Sequence, residues 1–199
     1  AAIALGPAHI SYYQLTLEPN TAFHQAPPPL PDDDTAADIH DQGLERLAAA
    51  GYAQYEVSAY ARPGRRCCHN LNYWEFGDYL GIGAGAHAKL TDPGTSRVQR
   101  MAKHRHPDSY LAAARTGGFV SSRRPLVDED LILEFALFAL RLNDGFSPGL
   151  FSARTGLPYE AIRARVVSGQ ADGLLDPEAR RVRPTELGRR FLNDLIQGF

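Results

Sequence analysis

The sequence predicts a mixed α/β protein in which a partial α/β unit precedes a small helical domain with a winged-helix pattern. Two runs rich in β-branched and aromatic residues, His9–Pro19 and Tyr52–Ala61, flank one amphipathic helix. A strand, a helix and a strand joined by short turns make a βαβ unit, whose strands are parallel. From about His104 onward, apolar residues follow helical spacing instead. We therefore divide the chain into residues 1–103 and 104–199.

The first unit is small for a parallel sheet. Thr35 and Asp38 predict the start of its helix as a variant capping box, and Gly51 predicts its end. A third strand is expected at Tyr79–Leu90, although its glycines weaken it unless another backbone or a ligand approaches closely. Two or three strands with one helix leave a face of such a sheet uncovered. We therefore expect the chain to be the C-terminal part of something larger.

The second domain reads as helices with a wing. Ser147, Pro148 and Gly156 carry the start and stop signals of one helix. Another helix is expected within Leu157–Leu175, and a β-hairpin within Asp176–Gly188. Two further helices are predicted by apolar residues at helical spacing, namely Leu131, Phe135, Phe138 and Leu142 in one, and Leu187, Phe191 and Leu195 in the other. Three helices and a two-stranded wing make a winged-helix pattern.

Composition excludes several classes of protein. The 199 residues are 44% hydrophobic and 22% charged, with a net charge of −2, which is ordinary for a globular protein and gives no general attraction to nucleic acid. We expect no transmembrane segment and no signal peptide, because no apolar run is long enough and the first residues lack a basic region. A cytoplasmic location follows, with Cys67 and Cys68 as reduced thiols, too few for a four-cysteine metal site.

The block His69–Trp74 is the strongest candidate for chemistry. It joins an imidazole, which commonly ligates haem iron, to flat aromatic faces that each carry one polar group. The alternative is a satisfied histidine beside core aromatics. The glycine run Gly81–Gly85 resembles a dinucleotide fingerprint only loosely, because no helix follows it. A close backbone approach to an adenosyl group or another cofactor stays open.

A nucleic-acid-binding module of winged-helix type is an alternative of another class. Five arginines make the tail locally basic: Arg180, Arg181, Arg183, Arg189 and Arg190. The expected recognition helix, however, carries Glu160 and Asp172 and few amide side chains that could read base edges. Nucleic-acid binding is therefore disfavoured.

Four segments together resemble a known family. They are HISYYQLTLEPNTAF, YEVSAYARPG, CHNLNYWEFGDYLGIGAGAHAKL and RPTELGRRFLNDL. They are similar to the oxygen-independent coproporphyrinogen III oxidases among the radical SAM proteins, and most similar to the haem-chaperone branch, which the pattern HNxxYW at His69–Trp74 marks. The resemblance implies a partial (β/α)6 barrel followed by a small winged-helix-like domain. It also implies S-adenosylmethionine on a [4Fe–4S] cluster held by a CxxxCxxC motif, which must precede residue 1 because these residues lack it.

The resemblance also implies a site and a function. On the S-adenosylmethionine side the matching residues are Tyr13, Gln14, Gly81, Gly83 and Gly85, and on the haem side they are His69, Asn70, Tyr73 and Trp74. The implied function is binding haem or porphyrin in tetrapyrrole metabolism and passing haem to acceptor proteins. The alternative is oxidative decarboxylation of coproporphyrinogen III. Without the cluster motif, this chain alone is expected to be inactive as an enzyme.

Overall fold

Residues 1–177 and 180–199 are described by the computed structural model, which divides into two units, Ala1–Cys67 and Cys68–Phe199. Helices and strands occur in both units, as the predicted α/β class requires. The predicted domain boundary between residues 103 and 104 stays a prediction, because contacts within the chain do not test where a family domain begins. Within the described residues, none of the helices is both long enough and apolar enough to cross a bilayer.

The first unit holds a three-stranded sheet with the order β1–β3–β2. Its elements are a 3-10 helix Ala2–Leu5, β1 His9–Ser11, α1 Ala22–Gln25, α2 Asp33–Ala49, β2 Ala53–Glu56 and β3 Ala59–Ala61. Both β1 and β2 pair with β3 in the antiparallel sense. The flanking strands β1 and β2 therefore run in the same direction, as the βαβ pattern predicts. The predicted parallel pairing is nevertheless wrong, because β3 lies between them.

A tight hairpin turn explains this difference. The predicted strand Tyr52–Ala61 is split at Val57 and Ser58, a position without glycine, proline or asparagine. The Glu56 carboxylate accepts hydrogen bonds from the Ser58 backbone N–H, at 3.2 Å, and from its hydroxyl, at 3.5 Å. The Glu56 carboxylate thus stabilises this turn, which has none of the residues that usually favour one. Because β3 offers only three residues for pairing, β1 is also shorter than predicted.

Helix α2 confirms one predicted end and corrects the other. Gly51 follows its last turn with φ +82°, the left-handed conformation that glycine adopts readily. Its start is earlier than predicted, because Asp32 caps the helix by accepting a 2.7 Å hydrogen bond from the backbone N–H of Thr35. Leu47 of this helix packs with Tyr52 and Tyr60 in the core of the first unit.

The second unit contains a three-stranded antiparallel sheet and most of the helices. Its elements are α3 Cys68–Trp74, β4 His87–Thr91, β5 Val98–Lys103, α4 Pro107–Ala114, β6 Val120–Pro125, α5 Asp128–Ala139, α6 Pro148–Thr155, α7 Glu160–Ala171, α8 Glu186–Arg190 and α9 Leu192–Gln197. The sheet order is β4–β5–β6. The predicted strand Tyr79–Leu90 is largely wrong, because its glycine run is a loop and only its last residues enter β4.

Helix α5 is the centre of the second core. Leu131, Phe135 and Phe138 are buried in it, which confirms the predicted spacing. Phe135 contacts Phe146 and Phe151 edge-on, with ring centroids 4.8 and 5.1 Å apart. Helices α6, α7 and α9 add buried apolar residues to the same core.

The predicted winged-helix pattern is present in part. Helix α6 has the predicted signals, since the Ser147 hydroxyl caps its start and Gly156 ends it with φ +76°. A β-bridge between Leu175 and Pro184 forms the base of the wing, while Glu178 and Ala179 of the predicted hairpin lie outside the described residues. The predicted last helix is broken into α8 and α9 at Phe191. Its predicted apolar face is therefore wrong for Leu187 and Phe191, which are 47% and 52% exposed.

Candidate functional site

Helix α3 carries the four residues predicted to bind haem. His69 lies exposed in its first turn, and Asn70 beside it is half-buried. Tyr73 lies four residues after His69, and Trp74 lies four residues after Asn70. The two members of each pair are therefore about one helical turn apart. His69 and Asn70 thus lie in the first turn of the helix, and Tyr73 and Trp74 lie at its end.

The two aromatic residues of α3 pack against the core. The Tyr73 ring lies edge-on to Phe138 at 4.8 Å between centroids and 4.9 Å from the Tyr79 ring. Trp74 is 5.9 Å from Phe138, and the Arg141 guanidinium lies 5.4 Å from its ring centre. Both rings are half-buried, so each combines a packing role with an accessible part.

The indole nitrogen of Trp74 has unused hydrogen-bonding capacity. Among the described residues, its Nε1 atom is buried and has no hydrogen-bond partner. A buried donor left unpaired costs about 1–3 kcal/mol, so the position of this ring is set by its packing and not by a polar contact.

The glycine run forms a closed loop in the second unit. Tyr79 and Lys89 pair through two backbone hydrogen bonds of 2.9 and 3.1 Å at the base of this loop. A Cβ atom on Gly81 would lie 2.2 Å from the carbonyl oxygen of His87, and Gly83 and Gly85 have φ values of +104° and +71°. The close approach that the glycines allow in this structure is therefore that of the chain to itself.

Beside this loop is an ion pair between a buried lysine and a partly exposed aspartate, which the sequence did not predict. Lys89 is only 1% exposed, and its Nζ donates a 2.9 Å hydrogen bond to Asp78. The same carboxylate accepts hydrogen bonds from the backbone N–H and the hydroxyl of Thr91. Burial lowers the pKa of Lys89 despite the opposing effect of Asp78. A lysine between Ala88 and Leu90 in β4 was the only signal in the sequence.

A second polar network joins β5 to α5. Arg100 donates to Glu134 through Nε at 2.7 Å, and its Nη1 donates to the Tyr79 hydroxyl. Burial raises the pKa of Tyr79 to about 12, and the neighbouring Tyr73 acts in the same direction. This network therefore reaches the aromatic end of α3. Its members are separated widely along the chain, so no local motif announces it.

Tyr13 and Gln14, predicted on the S-adenosylmethionine side, lie in the first unit. They line a cavity of about 210 Å³ together with the exposed side chains of Leu30 and Ile39. The neighbouring Tyr12 ring stacks on His40 at 5.8 Å and closes one wall. The cavity has an aromatic and aliphatic lining with one amide, which suits a flat ligand with a few polar atoms.

The two cysteines and the expected recognition helix are the remaining features that the sequence singled out. Cys67 is half-buried, Cys68 is exposed, and neither is bridged. In the described part of the chain, no group of three histidine, cysteine or acidic residues is arranged to hold a metal ion.

In α7, the expected recognition helix, Ile162 and Val166 are buried in the core of the second unit.

Known proteins resemble this chain in sequence. Residues 126–191 match the family model of the HemN C-terminal domain. The chain is 47% identical over 198 residues to the heme chaperone HemW of Escherichia coli (strain K12), covering 100% of this chain and 51% of that protein. It is 44% identical over 198 residues to the heme chaperone HemW of Haemophilus influenzae, covering 100% and 50%. The chain thus spans about half the length of the curated relatives it matches.

A solved structure supports the predicted fold class. Coproporphyrinogen III oxidase (HemN) from Escherichia coli, described as a radical SAM enzyme, superposes with a TM-score of 0.72. The match covers 99% of this chain and 49% of that one, at 16% sequence identity. At this identity the likeness bears on the fold alone.

Proposed function

We propose that this chain, which is similar to the HemN C-terminal domain over residues 126–191 and to the heme chaperone HemW along its whole length, binds haem as part of a heme chaperone. The observation that carries this proposal is the 47% identity to a heme chaperone HemW along the whole chain. The function remains a proposal because the chain spans only about half of that relative. Transfer of haem to acceptor proteins and a cytoplasmic location belong to the same proposal.

Helix α3 is the proposed haem site. The exposed imidazole of His69 is a suitable ligand for haem iron, and the accessible parts of Tyr73 and Trp74 offer apolar area to the macrocycle. Asn70, half-buried beside His69, contributes an amide to the same surface. Packing of the two aromatic rings on Phe138 holds the helix in place before any ligand arrives. A site prepared in this way loses little conformational entropy on binding.

Haem titration of the 199-residue chain tests the proposal. We expect a Soret band for the wild type, and for His69→Ala a shifted band or an affinity reduced about tenfold or more. His106→Ala is the matched control, because that imidazole is also exposed but lies at the start of α4. His87→Ala is expected to have a smaller effect than His69→Ala. An unchanged affinity and spectrum in His69→Ala would remove this histidine from the site.

The two cysteines are competing iron ligands and need their own variant. Thiolates bind haem iron, and Cys68 directly precedes His69. If the imidazole is the ligand, the double variant Cys67→Ser/Cys68→Ser keeps the wild-type Soret position. A displaced band in this variant alone would transfer the ligand role to sulfur.

The cofactors implied by the family divide into two cases. The chain contains two cysteines, fewer than the three that a CxxxCxxC motif supplies, so its residues do not fit a [4Fe–4S] cluster and we assign it no radical step. The cavity lined by Tyr13 and Gln14 does suit an adenosyl group, and we propose it as part of the S-adenosylmethionine site. Gly81, Gly83 and Gly85 stay candidates for S-adenosylmethionine binding by resemblance to the family. Calorimetric titration of S-adenosylmethionine into the wild type and into Gln14→Ala measures the affinity directly, and we expect the variant to bind more weakly.

Oxidative decarboxylation of coproporphyrinogen III is the alternative reaction. The likeness to HemN is structural, at 16% identity, whereas the relatives that are 44–47% identical are named heme chaperones. This difference favours haem binding over decarboxylation. An anaerobic assay for protoporphyrinogen formation by a protein that joins this chain to a CxxxCxxC motif would separate the two reactions.

A further inference from the structure

Arg141 lies just after the last residue of α5, beside the aromatic end of α3. The central carbon of its guanidinium is 5.4 Å from the centre of the Trp74 ring, within the range of a cation–π contact. Its backbone N–H donates a 3.2 Å hydrogen bond to the carbonyl of Phe138, and its neighbours Leu140 and Leu142 are 1% and 4% exposed. The core therefore fixes the backbone of Arg141, while its half-buried side chain contacts a residue of the proposed haem site.

The charge of Arg141 has no counter-charge among the described residues. Its guanidinium forms neither an ion pair nor a hydrogen bond there, and its contact is with the Trp74 indole. The acidic residues of α5 that form ion pairs do so with other arginines. These pairs are Glu134 with Arg100, Asp130 with Arg124, and Glu129 with Arg165. A half-buried guanidinium has lost part of its hydration, so a ligand that supplies oxygen acceptors would restore what the fold does not provide.

A carboxylate at the edge of an apolar ligand is the group that this arrangement fits. The planar fork of a guanidinium donates in parallel to the two oxygens of one carboxylate, and such charge-assisted hydrogen bonds are the stronger ones. Haem carries two propionate carboxylates at one edge of an otherwise apolar macrocycle. A ligand of this kind requires an apolar surface with a cation beside it. Tyr73 and Trp74 supply the surface, and Arg141 supplies the cation.

We propose that Arg141 is a specificity-determining residue of the haem site, where its guanidinium binds a propionate carboxylate of the tetrapyrrole. This inference rests on the proposed function and deepens it, because it names the group on the ligand that the chain selects. The roles within the site are then distinct. His69 ligates the iron, the two aromatic rings contact the macrocycle, and Arg141 distinguishes a free carboxylate from a masked one.

The experiment compares haem with its dimethyl ester, in which both carboxylates are masked. Both ligands are titrated into the 199-residue chain in the same dilute detergent, and the ratio of the two affinities is the readout. We expect the wild type to prefer haem by about tenfold, the size of one hydrogen bond to a charged group. In Arg141→Gln the preference should fall to about twofold or less. Arg141→Lys, which keeps the charge but loses the planar fork, should give an intermediate ratio.

Controls separate carboxylate recognition from packing and from iron ligation. Arg163→Gln removes a positive charge from an exposed position on α7, so it should keep the wild-type ratio. His69→Ala should weaken both ligands alike and also keep the ratio, because both contain the same iron. Thermal unfolding reports whether each variant is folded, and Arg141→Met, which keeps an apolar stem over Trp74, should give the same ratio as Arg141→Gln.

Three results would contradict the inference. A wild type that binds haem and the ester equally would overturn it and leave the proposed function standing. The same holds if the folded Arg141→Gln and Arg141→Met variants keep the wild-type preference, or weaken both ligands by the same factor, since Arg141 would then only support the Trp74 ring. A wild type that binds neither ligand would overturn the inference and the proposed function together.

Discussion

The Nζ atom of Lys89 lies 2.9 Å from Oδ1 of Asp78 and 4.2 Å from the centre of the Phe76 ring. An ammonium group that is 1% exposed has lost most of its hydration, so the carboxylate and the ring face must compensate for that loss. Because Asp78 also binds Thr91, one carboxylate holds both chain segments at the base of the glycine loop. This pair is therefore a stability determinant of the region that carries the candidate site.

Asp78→Asn should destabilise the protein by about 2 kcal/mol, because it leaves a buried ammonium without its counter-charge. This value is below that of a fully buried pair, since the Asp78 side chain is 39% exposed. Urea unfolding at neutral pH measures the effect. Glu186→Gln is the control, as it breaks an exposed pair with Arg190 and should cost less than about 0.5 kcal/mol. Equal effects of the two substitutions would contradict the assignment.

The contribution of Asp78 should depend on pH in the acid range. Burial acts to raise the pKa of Asp78, but hydrogen bonds from Lys89 and Thr91 outweigh it and lower the pKa below its usual value of 3.8. A carboxyl group with a lowered pKa in the folded state stabilises the fold above its unfolded pKa and loses this contribution as the pH falls. The stability gap between wild type and Asp78→Asn should therefore be constant from about pH 7 to pH 5 and shrink below about pH 4. A series of urea titrations checks this, and a gap that stays constant down to about pH 2 would refute it.

Phe138→Leu should loosen the haem-side helix without unfolding the protein. Phe138 contacts the rings of both Tyr73 and Trp74, so a smaller side chain removes their common support, at a cost of about 1 kcal/mol or more. Trp74 is the only tryptophan, and its emission should shift to longer wavelength as water gains access. Phe191→Leu is the matched control, because that ring is 52% exposed and should leave the spectrum unchanged. The prediction fails if both variants have wild-type emission.

The chain alone should neither retain a [4Fe–4S] cluster nor cleave S-adenosylmethionine. Its two cysteines cannot supply the three thiolates of a CxxxCxxC motif. Anaerobic reconstitution with iron and sulfide, followed by assay for 5′-deoxyadenosine, is the measurement. A longer relative with the motif serves as the positive control, and product formed by the 199-residue chain would disprove the prediction.

Local signals account for what the sequence predicted well. Helix α6 begins at a serine cap with proline in its first turn and ends at Gly156, all within ten residues, and the structure has it there. The end of α2 at Gly51 and the buried face of α5 were also predicted correctly. Each of these features depends on residues close together in the chain, whose conformational preferences act before tertiary contacts form. The pattern HNxxYW belongs to the same class, because it is read from six consecutive residues.

Tertiary structure alone decided the sheet pairings and the polar networks. The turn at Val57–Ser58 depends on the Glu56 carboxylate and not on a turn residue, and it changes a predicted parallel pair into an antiparallel sheet. The partners in the networks, Asp78 with Lys89 and Arg100 with Glu134, are 11 and 34 residues apart. The sequence by itself predicted the resemblance to HemN and HemW, the α/β class and the candidate residues of α3. Which of these residues face solvent and which pack in the core was decided only by the fold, because burial and long-range hydrogen bonds arise between segments that no local pattern relates.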